Sequence, residues 1–133
     1  MPKINDIIFC LKAKNIVNDG VSAQTVLSSI TPEYVPGLFS FSIIVIALDI
    51  DLTRDHEFKS IFLDPAGETL VNVEGELPVI ANNTNLPPEH LGINIAMDWN
   101  NVNFKISGLH TIKIYIDGEL VKCKEIFVKG KNE

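Results

Sequence analysis

Apolar side chains recur at every second position along most of this chain, the period of a strand with one face buried. The pattern is densest in Leu38 to Leu52, LFSFSIIVIALDIDL, whose middle from Ile43 to Leu48 holds no polar side chain. β-Branched residues dominate it and Pro36-Gly37 punctuates its start, which predicts a strand rather than a helix. Alternation places Ile44, Ile46, Leu48 and Ile50 on one face and Phe39, Phe41, Ile43 and Val45 on the other. With both faces apolar, the strand is predicted to be central and covered on each side.

The remaining elements follow from alternation and turn chemistry. Residues 4–17 read as a strand ending at Asn18-Asp19-Gly20, and 21–30 as a second, more polar one. Thr31-Pro32 and Val35-Pro36-Gly37 bend the chain into the central strand, and residues 53–56 turn it out again. Residues 57–64 form the next strand and Pro65-Ala66-Gly67 the next turn. A strand from Glu68 to Val79 follows, with Gly75 expected at a bulge and Pro78 marking an edge. Residues 81–90 carry no apolar period and read as the longest loop.

Beyond it, Leu91, Ile93, Ile95, Met97 and Trp99 alternate cleanly, and then the apolar parity moves to Val102, Phe104 and Ile106. An inserted residue or a change of sheet is therefore predicted at Asn100-Asn101. Asp117-Gly118 predicts a two-residue hairpin. It would pair Ile116 with Glu119, Tyr115 with Leu120, Ile114 with Val121 and Ile112 with Cys123, and set Lys113 opposite Lys122. A further parity change at Ile126 and Val128 predicts a bend or bulge in the last strand. With no capped helical period anywhere, the pattern predicts an all-β fold, an antiparallel β-sandwich of about 7–9 strands spanning residues 1–133 as one domain.

Composition narrows the partners. The chain has 133 residues, 46% hydrophobic and 21% charged, as in ordinary globular domains. Its net charge of −6 is concentrated: residues 49–76 hold eight acids against Arg54 and Lys59. A phosphate backbone would be repelled there, so no nucleic-acid partner is expected. Lys122, Lys124, Lys129 and Lys131 read as edge protection. No apolar run approaches the ~18–20 residues of a membrane helix, and the N-terminus lacks a signal-peptide pattern. A soluble, cytoplasmic protein is expected, with no membrane partner. Cys10 and Cys123 fall on dissimilar faces at opposite ends of the chain and are expected as free thiols.

Candidate chemistry is sparse. His56, His90 and His110 each stand at or near a predicted strand start without a partner at ligand spacing, which reads as surface or loop-end histidine. No Gly-x-Ser-x-Gly elbow, phosphate loop or dinucleotide fingerprint is present, so no enzyme activity, metal or cofactor is expected. Trp99 continues the row of Ile93, Ile95 and Met97 and reads as core. HEFKSIFLDPAGETLV at 56–71 and HTIKIYIDGELV at 110–121 share a grammar of His, Lys, Asp and Gly-Glu, read as two similar hairpins.

The Asp-Gly turn after the first strand, the Pro-bounded entry to the long strand, FLDPAGETL, and the closing GLHTIKIYIDGELV carry a resemblance. In this order they resemble a family of small bacterial or phage β-sandwich proteins of unknown function, immunoglobulin-like in outline. The resemblance implies an immunoglobulin-like sandwich and no transferable activity. The expected function is a non-enzymatic binding or assembly module. It would act through Phe39, Phe41, Ile43 and Val45 as an interface with a protein partner or a second copy, because four such side chains left wet would forgo ~1.5–3 kcal/mol each. Residues 81–90 are the intramolecular alternative cover. The alternative function is a small-ligand or calcium-binding module at the acidic end, Asp49, Asp51, Asp55 and Glu57.

Overall fold

Period-two alternation is realised as two facing sheets. The computed structural model describes residues 3–16, 20–51, 53–77 and 92–132, and among them it forms nine strands and no helix. They are β1 (Lys3–Ile16), β2 (Gly20–Val26), β3 (Ser29–Ile30), β4 (Gly37–Leu48), β5 (Glu57–Leu63), β6 (Thr69–Glu76), β7 (Gly92–Phe104), β8 (Gly108–Ile116) and β9 (Glu119–Val128). One sheet runs β2-β1-β4-β7 and the other β3-β9-β8-β5-β6. The long apolar strand is central in its sheet, as its two apolar faces predict. Pro78, His90 and the 81–90 loop lie outside the described residues.

The polar segment 21–30 is two strands rather than one. Thr25 adopts φ 57°, and the Leu27 N–H bonds the Phe9 carbonyl before the chain crosses to the other sheet. There β3 runs parallel to β9, the one parallel pair in an otherwise antiparallel ladder among the described residues. The parity change in β7 is a bulge: Phe39 pairs with Val102 but Phe41 pairs with Trp99. Asn101 takes φ 54°, its N–H bonded by the Ser40 hydroxyl at 2.9 Å. Trp99, Val102 and Phe104 thereby all reach the core. Gly75 stands in regular register opposite Phe58, and the irregularity of that pair lies at Phe62/Leu63 instead. β6 is an edge strand.

In the last hairpin Asp117 and Gly118 both have positive φ, 53° and 82°, as a primed two-residue turn requires. The expected register holds for Ile116–Glu119 and Tyr115–Leu120 and then slips by one. Ile114 faces Lys122 and Lys113 faces Cys123, so the expected Ile114–Val121, Ile112–Cys123 and Lys113–Lys122 pairs do not form. Val121 is the extra residue. This one bulge separates two lysines that would repel across the ladder and returns Ile126 and Val128 to the core side.

The Pro65-Ala66-Gly67 turn is held by Asp64, whose buried Oδ1 accepts the N–H groups of Ala66 and Glu68, each at 2.9 Å. Gly67 supplies the left-handed residue at φ 85°. Asp64→Ala would strand both donors and is expected to cost about 1–3 kcal/mol in a urea titration. Asp64→Asn, which keeps the acceptor, is expected to recover most of that loss.

The core is aromatic at its centre. Phe62 lies 5.5 Å from Trp99, 5.9 Å from Phe41, 6.1 Å from Phe104 and 6.4 Å from Phe9, measured between ring centroids. Trp99 is core, as its row predicted. Across one open side, Lys124 of β9 reaches the facing sheet, donating to the Ile7 carbonyl and to the Asp6 carboxylate.

The proposed interface row is corrected by this packing. Phe41, Ile43 and Val45 are buried between the sheets, and Phe39 is partly buried against them. The outward row is Leu38, Ser40, Ser42, Ile44, Ile46 and Leu48, the reverse of the expected assignment. Leu38 and Ser40 are exposed on it, whereas Ser42 and Ile44 are buried. A row that already meets the opposite sheet has no free surface left for a partner.

Candidate functional site

Two of the three histidines are described, and both are buried rather than at the surface. The physical reason is the repeat noted in the sequence. β5 and β8, which carry its two copies, pair antiparallel with each other, Phe58 opposite Ile116 and Leu63 opposite Thr111. The histidine that opens each copy of the repeat therefore lies level with the aspartate that follows the other copy's strand. His56 meets Asp117, with Nδ1 2.7 Å from Oδ2. Asp64 is level with His110 at the opposite end of the pair. The matched His-to-Asp spacing was the signal in the sequence, and only the antiparallel pairing gives it meaning.

The two ends differ in chemistry. His56 Nε2 lies 2.6 Å from the Asp51 carbonyl oxygen, and the second Asp117 oxygen accepts the Glu57 N–H at 2.9 Å. The His56 hydrogen bond, then the Glu57 N–H, hold the Asp117 carboxyl below its usual 3.8. His110 instead donates from Nδ1 to the Gly108 carbonyl at 3.0 Å, while its buried Nε2 has no partner. Burial lowers its pKa below the usual 6.5, against smaller opposing effects of the Gly108 carbonyl and Asp64. The Phe62 ring stacks on it at 5.6 Å and Phe104 meets it edge-on at 5.3 Å.

The acidic residues singled out for calcium do not converge. Asp51 Oδ1 is occupied by the N–H and hydroxyl of Thr53, which hold its carboxyl below the usual range. Among the described residues no group of three His, Cys, Asp or Glu side chains could hold a metal ion. A hollow of about 430 Å³ at this end is lined by Asp55, His56, Glu57, Glu76 and Asp117. On the outer face of the four-stranded sheet, Ser42 donates to Asp98 beside buried Cys10, whose thiol pKa is pushed up by burial and then by Asp98. Cys10 and Cys123 are both unpaired, the first buried and the second exposed.

Surface apolar residues gather elsewhere. The outer face of the five-stranded sheet carries Leu109 opposite Phe127, 51% and 47% exposed, and Leu120 opposite Tyr115. Ile61 and Leu63 of β5 continue it, half-buried. Between the free edges of β6 and β7 lies a groove of about 320 Å³, lined chiefly by Phe58, Val73, Leu77, Ile93, Ile95 and Met97.

Residues 5–129 match the sequence profile of a family of unknown function, DUF6941. The chain belongs to this family. No curated protein matches it. Among solved structures, the DUF6941 chain is similar to an immunoglobulin-like protein from Pseudomonas aeruginosa, with TM-score 0.50, 12% identity and 97% of each chain covered. It is also similar to the alkylpurine DNA glycosylase AlkC of Pseudomonas fluorescens, solved bound to DNA containing an abasic site analogue, with TM-score 0.50 and 9% identity. That match covers 96% of this chain and 30% of the glycosylase, so the chain spans less than a third of the latter's length. At these identities the likeness shows the fold: the chain is an immunoglobulin-like β-sandwich.

Proposed function

We propose that the chain is a non-enzymatic assembly module that associates with a second copy of itself through the outer face of the five-stranded sheet. The observation that carries this reading is the directly opposed, half-exposed pair Leu109 and Phe127 on the outer face of the sheet, with a second apolar pair, Leu120 and Tyr115, at the hairpin end of the same strands. Half-exposed apolar pairs of this size mark an interaction surface more often than isolated surface leucines do. Charge decides where on this face a second copy can sit. Two chains of net charge −6 repel one another through their acidic ends. This face carries Lys59 and Lys113 against Glu57, Glu74, Glu76 and Glu125, and Lys59 already pairs with Glu74 at 3.5 Å. Leu109 and Phe127 lie at the far end of the face from Glu57 and Glu76, so like copies meet there away from that charge.

Light scattering at high micromolar concentration tests the proposal. The wild-type chain is expected at twice the monomer mass, and Leu109→Glu with Phe127→Glu at the monomer mass with an unchanged melting temperature. A wild-type chain that stays monomeric across the concentration series would sink it.

A further inference from the structure

We infer that His56 is a doubly protonated clasp that closes the acidic end of the sandwich, and that this end is a proton-dependent switch. The ring is buried, with 1% of its side chain exposed, and each nitrogen faces an atom that can only accept. Nε2 lies 2.6 Å from the Asp51 carbonyl oxygen and Nδ1 lies 2.7 Å from Asp117 Oδ2. A neutral imidazole carries one N–H. It would set a nitrogen lone pair against an oxygen lone pair at one of these two short distances. Asp117 supplies no hydrogen in exchange, because its two oxygens accept from His56 and from the Glu57 N–H as a carboxylate. Only the imidazolium supplies both donors.

The clasp joins the connection from β4 to β5 to the end of the β5–β8 ladder. Asp51 belongs to the connection from β4 to β5, His56 stands at the entry to β5, and Asp117 forms the β8–β9 turn. Backbone bonds from Asp117 N–H to the Glu57 carbonyl and from Leu77 N–H to the His56 carbonyl fix the β5 side. The β4–β5 connection is tied to this frame by the Asp51 carbonyl on Nε2. The charged groups around the ring are Asp51, Arg54 and Asp55 from that connection, Glu57 on β5, Glu76 on β6, and Asp117 at the hairpin. Acids outnumber the single arginine, so the field at this end favours a cation. Loss of the second proton leaves one of the two bonds unmade. The β4–β5 connection is then released from the hairpin, and the hollow lined by Asp55, Glu57, Glu76 and Asp117 changes shape.

Long-range proton–nitrogen spectra of the histidine rings test this directly in the intact chain. Near neutral pH both ring nitrogens of His56 are expected at the shifts of protonated nitrogen, while His110 shows one protonated and one bare nitrogen. On raising the pH, the amide signals of Thr53 to Asp55 are expected to move with the His56 ring signals. Asp117→Asn, which removes the charge partner but keeps an acceptor, is expected to leave one His56 ring nitrogen bare under the same conditions. A neutral His56 tautomer near neutral pH overturns the assignment. Ring signals that titrate without any change in the Thr53 to Asp55 amides overturn the switch.

Discussion

Phe62→Ala is expected to lower the unfolding free energy by about 3–5 kcal/mol, the range for truncating a large buried ring. Phe62 is fully buried and touches Phe9, Phe41, Trp99, Phe104 and His110, so its loss leaves a cavity walled by rigid rings from both sheets. Rings held by neighbouring strands cannot collapse into that space as an aliphatic core might. A urea titration with an unchanged slope checks the prediction. Phe41→Asp is expected to behave more severely. It sets an unpaired carboxylate among the same rings, and it should unfold the chain rather than shift its oligomeric mass.

The second large effect is a loss of stability in mild acid that originates at His110. Its Nδ1–H is spent on the Gly108 carbonyl and its Nε2 faces apolar rings without a partner. Protonation in the folded chain would bury an unsatisfied charge, and burial accordingly holds the pKa below 6.5. The unfolded chain binds the proton more readily, so stability is at its plateau above 6.5 and falls as the pH drops below it. Asp64, level with His110, opposes this only in part, since its Oδ1 is committed to the turn. His110→Phe preserves the ring contacts and is expected to remove this acid limb while leaving stability near neutral pH almost unchanged. Melting temperatures across the mildly acidic range distinguish the two chains. The carboxyls held low by partners, Asp6 by Lys124 and Asp117 by His56, lose their contribution in a separate window, as the pH falls below 3.8.

What could be read in advance follows one rule. Where the physics is local, the residues disclose it. Asp117-Gly118 needs two left-handed residues and Asp64-Pro65-Ala66-Gly67 needs an acceptor and a glycine, so both turns were legible. The parity flips at Asn100-Asn101 and in the last strand were legible as breaks, either a bulge or a bend or change of sheet, because a period of two does not survive a one-residue shift in a regular strand. Position within the last strand was not. The slip at Val121 is decided by which side chains the opposite sheet accepts, and the hairpin alone suits either register.

The same division governs the candidate site. The sequence determined an all-β chain, a long central strand, the aromatic core membership of Trp99 and the acid-rich segment from Asp49 to Glu76. Tertiary structure decided which face of the central strand is inside. Both rows are apolar enough, and only the position of the facing sheet selects Phe41, Ile43 and Val45, although Ser40 and Ser42 on the other row carried a hint. It also decided that His56 and His110 are buried. A histidine at a strand end reads as wet until the antiparallel pairing of β5 with β8 brings an aspartate of one to the histidine of the other. Alternation is a property of a single strand, whereas a buried face and a paired charge are properties of two elements meeting, and no local pattern fixes which two will meet.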